Sequence, residues 1–158
     1  MIKIIAVGKI KEKSLAACIE EYRKRIQGFS KIELIEVNDE SIPFNCSSKQ
    51  EEKIKDIEAE RILSKIKDRE FVILLDLHGE VYTSEKLAEK IQKIMTYDSS
   101  DLVFVIGGSL GLGEAILKRS NMRWKLSDCT FPHQLVRLLV VEQIYRSFTI
   151  LQHLPYHK

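Results

Sequence analysis

Leu102–Gly113, which reads L-V-F-V-I-G-G-S-L-G-L-G, contains the strongest structural signal in the chain. Its first five residues are apolar and mostly β-branched or aromatic, which predicts a strand buried on both faces. Gly107 and Gly108 end that strand, and the small residues as far as Gly113 make the following turn permissive. The glycines alone leave two interpretations open: a ligand-binding loop at the carboxyl end of a parallel strand, or a tight strand-to-helix turn.

Composition limits the class of protein. With 158 residues, 44% of them hydrophobic and 30% charged, we expect a single globular domain over residues 1–158. A net charge of +2 is too small for a polycation, so any contact with nucleic acid has to be a local patch. Met1–Val7 does not resemble a signal peptide, and no apolar run has the length of a membrane span. Three cysteines without metal or redox spacing predict a reduced, cytoplasmic protein that contacts no membrane.

Strand and helix patterns alternate along the whole chain, which predicts an α/β fold with a mostly parallel sheet. The predicted strands are Ile2–Val7, Ile32–Val37, Phe71–Leu77, Leu102–Ile106 and Arg123–Ser127. The predicted helices are one with the apolar stripe Leu15, Ile19, Tyr22 and Ile26, then Gln50–Ile66, Ser84–Met95, Glu114–Arg119 and His133–Leu151. We also expect Gly28 to end the first helix, Ser84 to cap the third, and His78–Glu80 to lie at the carboxyl end of the third strand.

Common nucleotide, hydrolase and metal motifs are absent. Gly111-x-Gly113 is followed by Ile116 where a dinucleotide-binding loop needs a third glycine, and no glycine precedes a G-K-[ST] sequence. No G-x-S-x-G nucleophile elbow is present. His153 and His157 are spaced like a metal-binding pair, but Pro155 breaks the helix that would align them. We therefore expect no metal site.

The segment from His133 to Leu151 predicts a helix that is apolar nearly all round. A helix of this kind has to be covered on several sides. One side can pack on the sheet, and the remainder favours a second subunit, so the sequence predicts a homodimer; burial within one chain is the alternative.

Two charged or titratable residues, His133 and Arg137, lie four apart among these apolar residues. A charge on an apolar helix is costly unless it is paired or functional. Lys118, Arg119, Arg123 and Lys125 precede them, so that residues 118–137 carry five positive charges and one negative charge, a net +4. This concentration predicts a site for an anionic ligand such as RNA; a solvated helix edge is the alternative.

Four motifs occur in order in the last third of the chain. They are V-I-G-G-S-x-G-L at 105–112, L-S-x-x-T-F-P-H-Q-L-x-R at 126–137, E-Q-x-Y-R-x-F at 142–148 and P-Y-H-K at 155–158. With A-V-G-K-x-K-E-K at 6–13 and E-Y-x-K-R at 21–25, they make the chain resemble the SPOUT-class methyltransferases of large-subunit ribosomal RNA. The resemblance covers nearly the whole chain and is specific, because the motifs keep their order and separations.

The resemblance implies a fold, a cofactor and a reaction. The fold is a mostly parallel sheet of five to six strands with helices on both faces and a C-terminal trefoil knot, in a homodimer. The cofactor is S-adenosylmethionine. The reaction is methylation at N3 of a pseudouridine in large-subunit (23S) ribosomal RNA within the assembled ribosome. A non-catalytic ribosome-binding or assembly factor with the same fold stays open as an alternative, as does an unrelated flavodoxin-like binder of a phosphorylated small molecule.

The resemblance also implies site residues. The predicted cofactor-binding residues are Leu75, Gly107, Leu126, Ser127, Asp128, Cys129, Thr130 and Phe131. Because a uracil-type N3–H is weakly acidic, the reaction needs a base or a positive group near the acceptor nitrogen. The predicted catalytic residues are His133, Arg137, Tyr156 and His157, with the tail supplied by the same or the other subunit. Glu80 stands where related sequences often carry lysine, which weakens any expectation that this loop grips RNA phosphate.

Overall fold

The computed structural model describes residues 1–158 and contains five strands and five helices in strict alternation. The strands are β1 (Ile2–Val7), β2 (Ile32–Val37), β3 (Phe71–Val81), β4 (Leu102–Ile106) and β5 (Met122–Lys125). The helices are α1 (Lys13–Gln27), α2 (Ser48–Leu63), α3 (Ser84–Tyr97), α4 (Glu114–Arg119) and α5 (His133–Leu151). None of the helices combines the length and the apolar character that crossing a membrane requires.

All five strands are parallel and lie in the order β2-β1-β4-β3-β5. The strand that precedes the glycines, β4, is the middle strand and is buried along its whole length. Ile2 of β1 and Phe71 of β3 both align with Leu102 of β4, so the three central strands start level. The α/β fold with a parallel sheet is confirmed.

Helices cover both faces of the sheet, as expected. One cluster of 17 buried residues joins the sheet to α1, α3 and α5, and a second cluster of ten joins it to α2 and α4. Along β4, Phe104 belongs to the first cluster and its neighbours Val103 and Val105 to the second. Alternation of this kind requires a strand that is apolar on both sides, which explains the continuous apolar run of β4.

The third strand differs from the prediction. It continues to Val81, and Leu75 and Glu80 both align with Trp124, so residues 76–79 loop out as a wide bulge. A Cβ on Gly79 would lie 2.7 Å from the carbonyl of Arg123, which leaves room for glycine alone. The predicted end of the strand at Leu77 is therefore wrong: Gly79 marks a bulge within a longer strand.

Element ends differ by a few residues from the prediction. Helix α2 begins two residues earlier, because Ser47 caps it in a reciprocal pair with Gln50. The side chain of Thr83 caps α3 in place of Ser84, whose hydroxyl donates to Gln143 on α5 at 2.9 Å. Gly28 ends α1 as predicted. After β5, at the edge of the sheet, the chain returns to pack α5 against α1 and α3; the trefoil knot stays a prediction.

A buried ion pair ties the first strand to the connection before β3. Lys3 Nζ lies 2.6 Å from Glu70 Oε1 and donates to the carbonyl of Lys65 at 2.9 Å, while Glu70 Oε2 accepts from the N–H of Lys67 at 2.7 Å. The side chains of Lys3 and Glu70 are only 5% and 1% exposed. Both charges are therefore satisfied locally, and removal of one leaves the other buried without a partner.

Replacement of Glu70 by methionine is expected to lower the free energy of unfolding by about 3–5 kcal/mol, because Lys3 then keeps a buried, unpaired charge. The double variant Lys3→Met/Glu70→Met should recover most of that loss. The exposed pair Lys118–Glu114 supplies the control, since Glu114→Gln should leave the urea midpoint close to that of the wild type. Urea unfolding measures all three; equal effects of Glu70→Met and Glu114→Gln would contradict the expectation.

Candidate active site

A cavity of about 520 Å³ opens at the carboxyl ends of β3, β4 and β5. Its walls are the bulge of β3, the glycine loop (residues 107–113), the β5–α5 loop (residues 126–132) and the first turn of α5. Slightly more than half of its lining residues, 11 of 21, are hydrophobic. A crevice at this edge of a parallel sheet is where ligands bind in open α/β folds.

Seven of the eight residues predicted to hold the cofactor line this cavity. They are Leu75, Gly107, Leu126, Ser127, Cys129, Thr130 and Phe131. The eighth, Asp128, does not line the cavity; its side chain is 91% exposed and pairs with Lys125 at 2.5 Å. The structure thus brings two loops and a strand end, distant in sequence, around one space.

The glycine loop is packed against α2 on its outer side. A Cβ on Gly113 would lie 2.7 Å from the carbonyl oxygen of Lys55 and 3.0 Å from the Cβ of Ala59. Real Cβ atoms do not approach backbone this closely, so α2 and the loop hold each other in place only while residue 113 is glycine. The small residues therefore allow the loop to pack closely on α2 and also leave room for a ligand in the cavity.

Sequence reasoning missed two acidic groups at this site. Asp76 and Arg123 form an ion pair at 2.5 Å, and both line the cavity. Glu58 lies buried under the glycine loop and accepts from the N–H of Glu40 at 3.0 Å. Burial, followed by the charge of Asp39, raises the pKa of Glu58. No local pattern marks these residues, because their partners come from other elements.

His133 is the one predicted catalytic residue that lines the cavity. It stands at the first position of α5, and its imidazole makes no hydrogen bond within the chain. Its ring nitrogens are therefore free to contact a ligand bound in the cavity.

Arg137 lies one helical turn later but points away from the cavity. Its guanidinium donates to the carbonyls of Val7 and Gly8, each at 2.7 Å, and to Glu36 at 2.9 Å. The residue is 5% exposed, and its Nε has no hydrogen-bond partner. Burial lowers the pKa of Arg137, although Glu36 opposes that effect. The side chain therefore fastens α5 to the ends of β1 and β2, and contacts no ligand in this conformation.

The C-terminal tail is held at the opposite end of α5. At about 1.5 Å per residue, His133 and Arg146 are roughly 20 Å apart along the helix. The hydroxyl of Tyr156 donates to Glu142 at 3.0 Å and lies 3.1 Å from that of Tyr22. Burial, together with these two contacts, raises the pKa of Tyr156. Tyr156 is therefore a fixed part of the α1–α5 interface.

His157 completes this tail contact with a defined tautomer. Its Nδ1 lies 3.2 Å from Nη1 of Arg146, and its Nε2 lies 2.8 Å from Oε1 of Glu85. Because a guanidinium can only donate, Nδ1 accepts and Nε2 carries the proton. The carboxylate of Glu85 accepts a hydrogen bond from the backbone N–H of Glu85 itself and another from His157. These two bonds, in that order, lower the pKa of Glu85 to about 2. Sequence reasoning missed Arg146, although it lies in the E-Q-x-Y-R-x-F motif.

The positive charge predicted over residues 118–137 is compensated within the chain. Lys118, Arg123, Lys125 and Arg137 pair with Glu114, Asp76, Asp128 and Glu36, respectively. Arg119 donates to three backbone carbonyls, those of Lys67, Asp68 and Glu70. The cations of this segment therefore contact other parts of the chain, and most of its net charge of +4 is not available to bind a ligand.

Comparisons with known proteins cover the full chain. Residues 1–157 match the family described as "Predicted SPOUT methyltransferase". A protein of Latilactobacillus sakei named "Ribosomal RNA large subunit methyltransferase H" is 52% identical over 157 residues, which are 99% of each chain. Proteins with the same name from Finegoldia magna and Clostridium botulinum are 52% and 51% identical over the same share.

Replacement of Gly113 by alanine is expected to displace the glycine loop, because the added Cβ collides with the backbone of α2. Overpacking of this kind costs about 1–3 kcal/mol, so the affinity for the methyl-donor cofactor should fall about tenfold or more. Isothermal titration calorimetry measures this affinity. Gly28→Ala is the control, since its Cβ would meet no atom closer than 3.5 Å. Unchanged affinity in Gly113→Ala would contradict the packing argument.

Replacement of Arg137 by methionine is expected to cost about 3 kcal/mol of stability, because Glu36 and two backbone carbonyls lose their donor. Arg137→Lys should lose less stability than Arg137→Met but should stay below the wild type, since an ammonium cannot match the geometry of the guanidinium. Both variants should also bind the methyl-donor cofactor more weakly, because the first turn of α5 moves. Arg69→Met, at an exposed pair, is the control. A variant with wild-type stability and affinity but little turnover would instead indicate direct contact with the substrate.

Proposed function

This chain belongs to the SPOUT methyltransferase family, and we propose that it transfers a methyl group from S-adenosylmethionine to N3 of a pseudouridine in large-subunit ribosomal RNA. The observation that carries the proposal is the cavity at the carboxyl edge of the sheet, lined by the glycine loop, the β5–α5 loop and an unpaired imidazole. Full-length relatives named as ribosomal RNA large subunit methyltransferases support the choice of substrate.

The residues of the cavity suit a nucleoside cofactor. A volume of about 520 Å³ lies in the range of small-molecule sites, about 300–1,000 Å³. Apolar side chains such as Leu75 and Leu126 offer surfaces for an adenine ring, and the backbone of the glycine loop and of residues 126–131 offers hydrogen-bonding groups to its edge. S-adenosylmethionine supplies an electrophilic methyl group on a sulfonium. Asp128 would contribute through its backbone, because its side chain faces solvent.

His133 is the best candidate for the base. The N3–H of the acceptor has to lose its proton before or during attack on the methyl group. The imidazole of His133 faces the cavity and has no partner within the chain. Arg137 acts in this proposal as a positioning residue, because it holds the helix turn that carries His133 and makes no contact with the cavity.

A homodimer would complete the site. Within one chain, Tyr156 and His157 are bound near the far end of α5, roughly 20 Å along the helix from His133. Leu77, at the cavity wall, and Leu135, near the start of α5, are exposed apolar side chains that a second subunit could cover. We propose that the tail of one subunit approaches the cavity of the other, where Tyr156, His157 and the adjacent Arg146 contact the acceptor.

The substrate is proposed to be the assembled ribosome. The chain has a net charge of only +2, and its densest cationic segment is internally paired, so electrostatic attraction to RNA is weak. Recognition of a folded surface by shape accounts for binding with so little free charge. Such an enzyme works where ribosomes are, in the cytoplasm.

Methyl transfer from radiolabelled S-adenosylmethionine tests the function directly. Intact ribosomes, free ribosomal RNA and ribosomes that lack pseudouridine are compared, and label is expected only on intact ribosomes that contain pseudouridine. His133→Ala should lower kcat by about 10²–10⁴-fold, the usual contribution of a general base, with the affinity for the cofactor within threefold of wild type.

His153→Asn is the matched control, because His153 makes no side-chain hydrogen bond and asparagine tolerates its φ of 54°. Label on no substrate, with the cofactor still bound, would require another acceptor. Failure to bind the cofactor would favour a non-catalytic ribosome-binding factor with this fold.

A further inference from the structure

A second cleft, of about 560 Å³, runs along the edge of the sheet between α3 and β5. It lies outside the cofactor cavity, but His78 and Arg123 line both spaces. The bulge of β3 is thus a common wall. Only four of the 13 residues that line the cleft are hydrophobic, so its chemistry is that of a polar ligand site.

Two lysines in this edge cleft have no ion-pair partner. Lys90 and Lys93 lie three apart on α3, are exposed, and have no carboxylate within 4.0 Å. They contrast with the cations over residues 118–137, whose charges are used inside the chain. The edge cleft therefore offers unpaired positive charge next to the cofactor cavity. The densest cationic segment of the sequence, residues 118–137, offers much less, because most of its charges are paired within the chain.

The other lining groups suit a nucleobase. The ring of Tyr82 lies 5.5 Å from Nζ of Lys90, and its hydroxyl donates to the carboxylate of Glu80. Burial and then this hydrogen bond raise the pKa of Tyr82 to about 12, so the phenol stays neutral. Asp98 provides a second carboxylate. Carboxylates accept from the exocyclic amino groups of bases, and aromatic rings stack on their faces.

A nucleotide satisfies this mixture better than a simple anion does. A free phosphate would lie near two carboxylates, those of Glu80 and Asp98, as well as two ammonium groups. The repulsion by the carboxylates would offset the attraction by the lysines. A nucleotide divides the contacts, because its phosphate takes the ammonium groups and its base takes the carboxylates and the ring. Because the edge cleft shares a wall with the cofactor cavity, a nucleotide bound there would lie beside the acceptor nucleotide.

We propose that the edge cleft binds one nucleotide of the RNA substrate that neighbours the acceptor, with its phosphate on Lys90 and Lys93 and its base beside Tyr82 and the carboxylates. This inference rests on the ribosomal RNA methylation proposed above, and adds a place where the RNA strand continues beyond the reacting base. It also gives Glu80 a role that involves no phosphate contact.

The double charge reversal Lys90→Glu/Lys93→Glu tests the edge cleft. The matched control is Lys49→Glu/Lys53→Glu, which reverses two exposed, unpaired lysines on α2, on the other face of the sheet. Methylation of intact ribosomes is measured over a series of salt concentrations, with calorimetry for cofactor affinity and thermal unfolding as a check of the fold.

The edge-cleft variant is expected to raise KM for ribosomes at least tenfold and to leave the affinity for S-adenosylmethionine within twofold. The dependence of log KM on log salt should flatten by about 0.7 for each single-strand phosphate that the variant no longer neutralises. The control variant should keep KM within twofold. Equal effects of the two variants, or no effect of either, would overturn the edge cleft as a subsite. A wild-type protein that methylates no ribosome would instead overturn the proposed function, and this inference with it.

Discussion

The guanidinium of Arg137 holds the active end of this protein together. It reaches from α5 to two carbonyls at the end of β1 and to a carboxylate on β2, so one side chain joins three elements. Desolvation of a charged group costs several kcal/mol, and the three short contacts offset that cost. Because His133 and the β5–α5 loop lie immediately before this residue, the geometry of the cavity depends on the same tie.

Several charged side chains in this protein hold its elements together. The buried pair of Lys3 and Glu70 fixes β1 to the segment before β3, and the pair of Asp76 and Arg123 shapes the bulge of β3. Arg119 donates to three carbonyls of the α2–β3 connection. Lys90 and Lys93 of the edge cleft take part in no such tie, so their ammonium groups stay available to an external anion beside the cofactor cavity.

Helix α5 separates the predicted catalytic residues of one chain into two places. Its first turn carries His133 at the cavity, and its last turns hold the tail through Tyr145, Arg146 and Glu142. The helix is rigid and roughly 20 Å lies between the two, so the tail cannot serve its own cavity while it keeps these contacts. The proposed homodimer would remove this separation, because the tail of a second chain can approach the cavity from outside the helix.

Sequence alone determined the elements of the fold and the loops around the cavity. The strands, the apolar stripes and the late glycines depend on neighbours within a few residues, where the spacing of side chains follows from the geometry of helix and strand. The four late motifs identified the family, and with it the two loops that meet at the carboxyl edge.

Only the tertiary structure decided what individual charged residues do. Arg137 and His133 share a helix face by spacing, yet Arg137 faces the ends of β1 and β2, because its partners lie more than a hundred residues earlier in the chain. His133, which has no partner within the chain, lines the cavity. The bulge at Gly79 follows from its contact with β5, and the pairing of residues 118–137 from carboxylates on other elements as well as their own. Local sequence sets the periodicity of a segment, whereas the energy of a buried charge depends on whichever group the fold brings beside it.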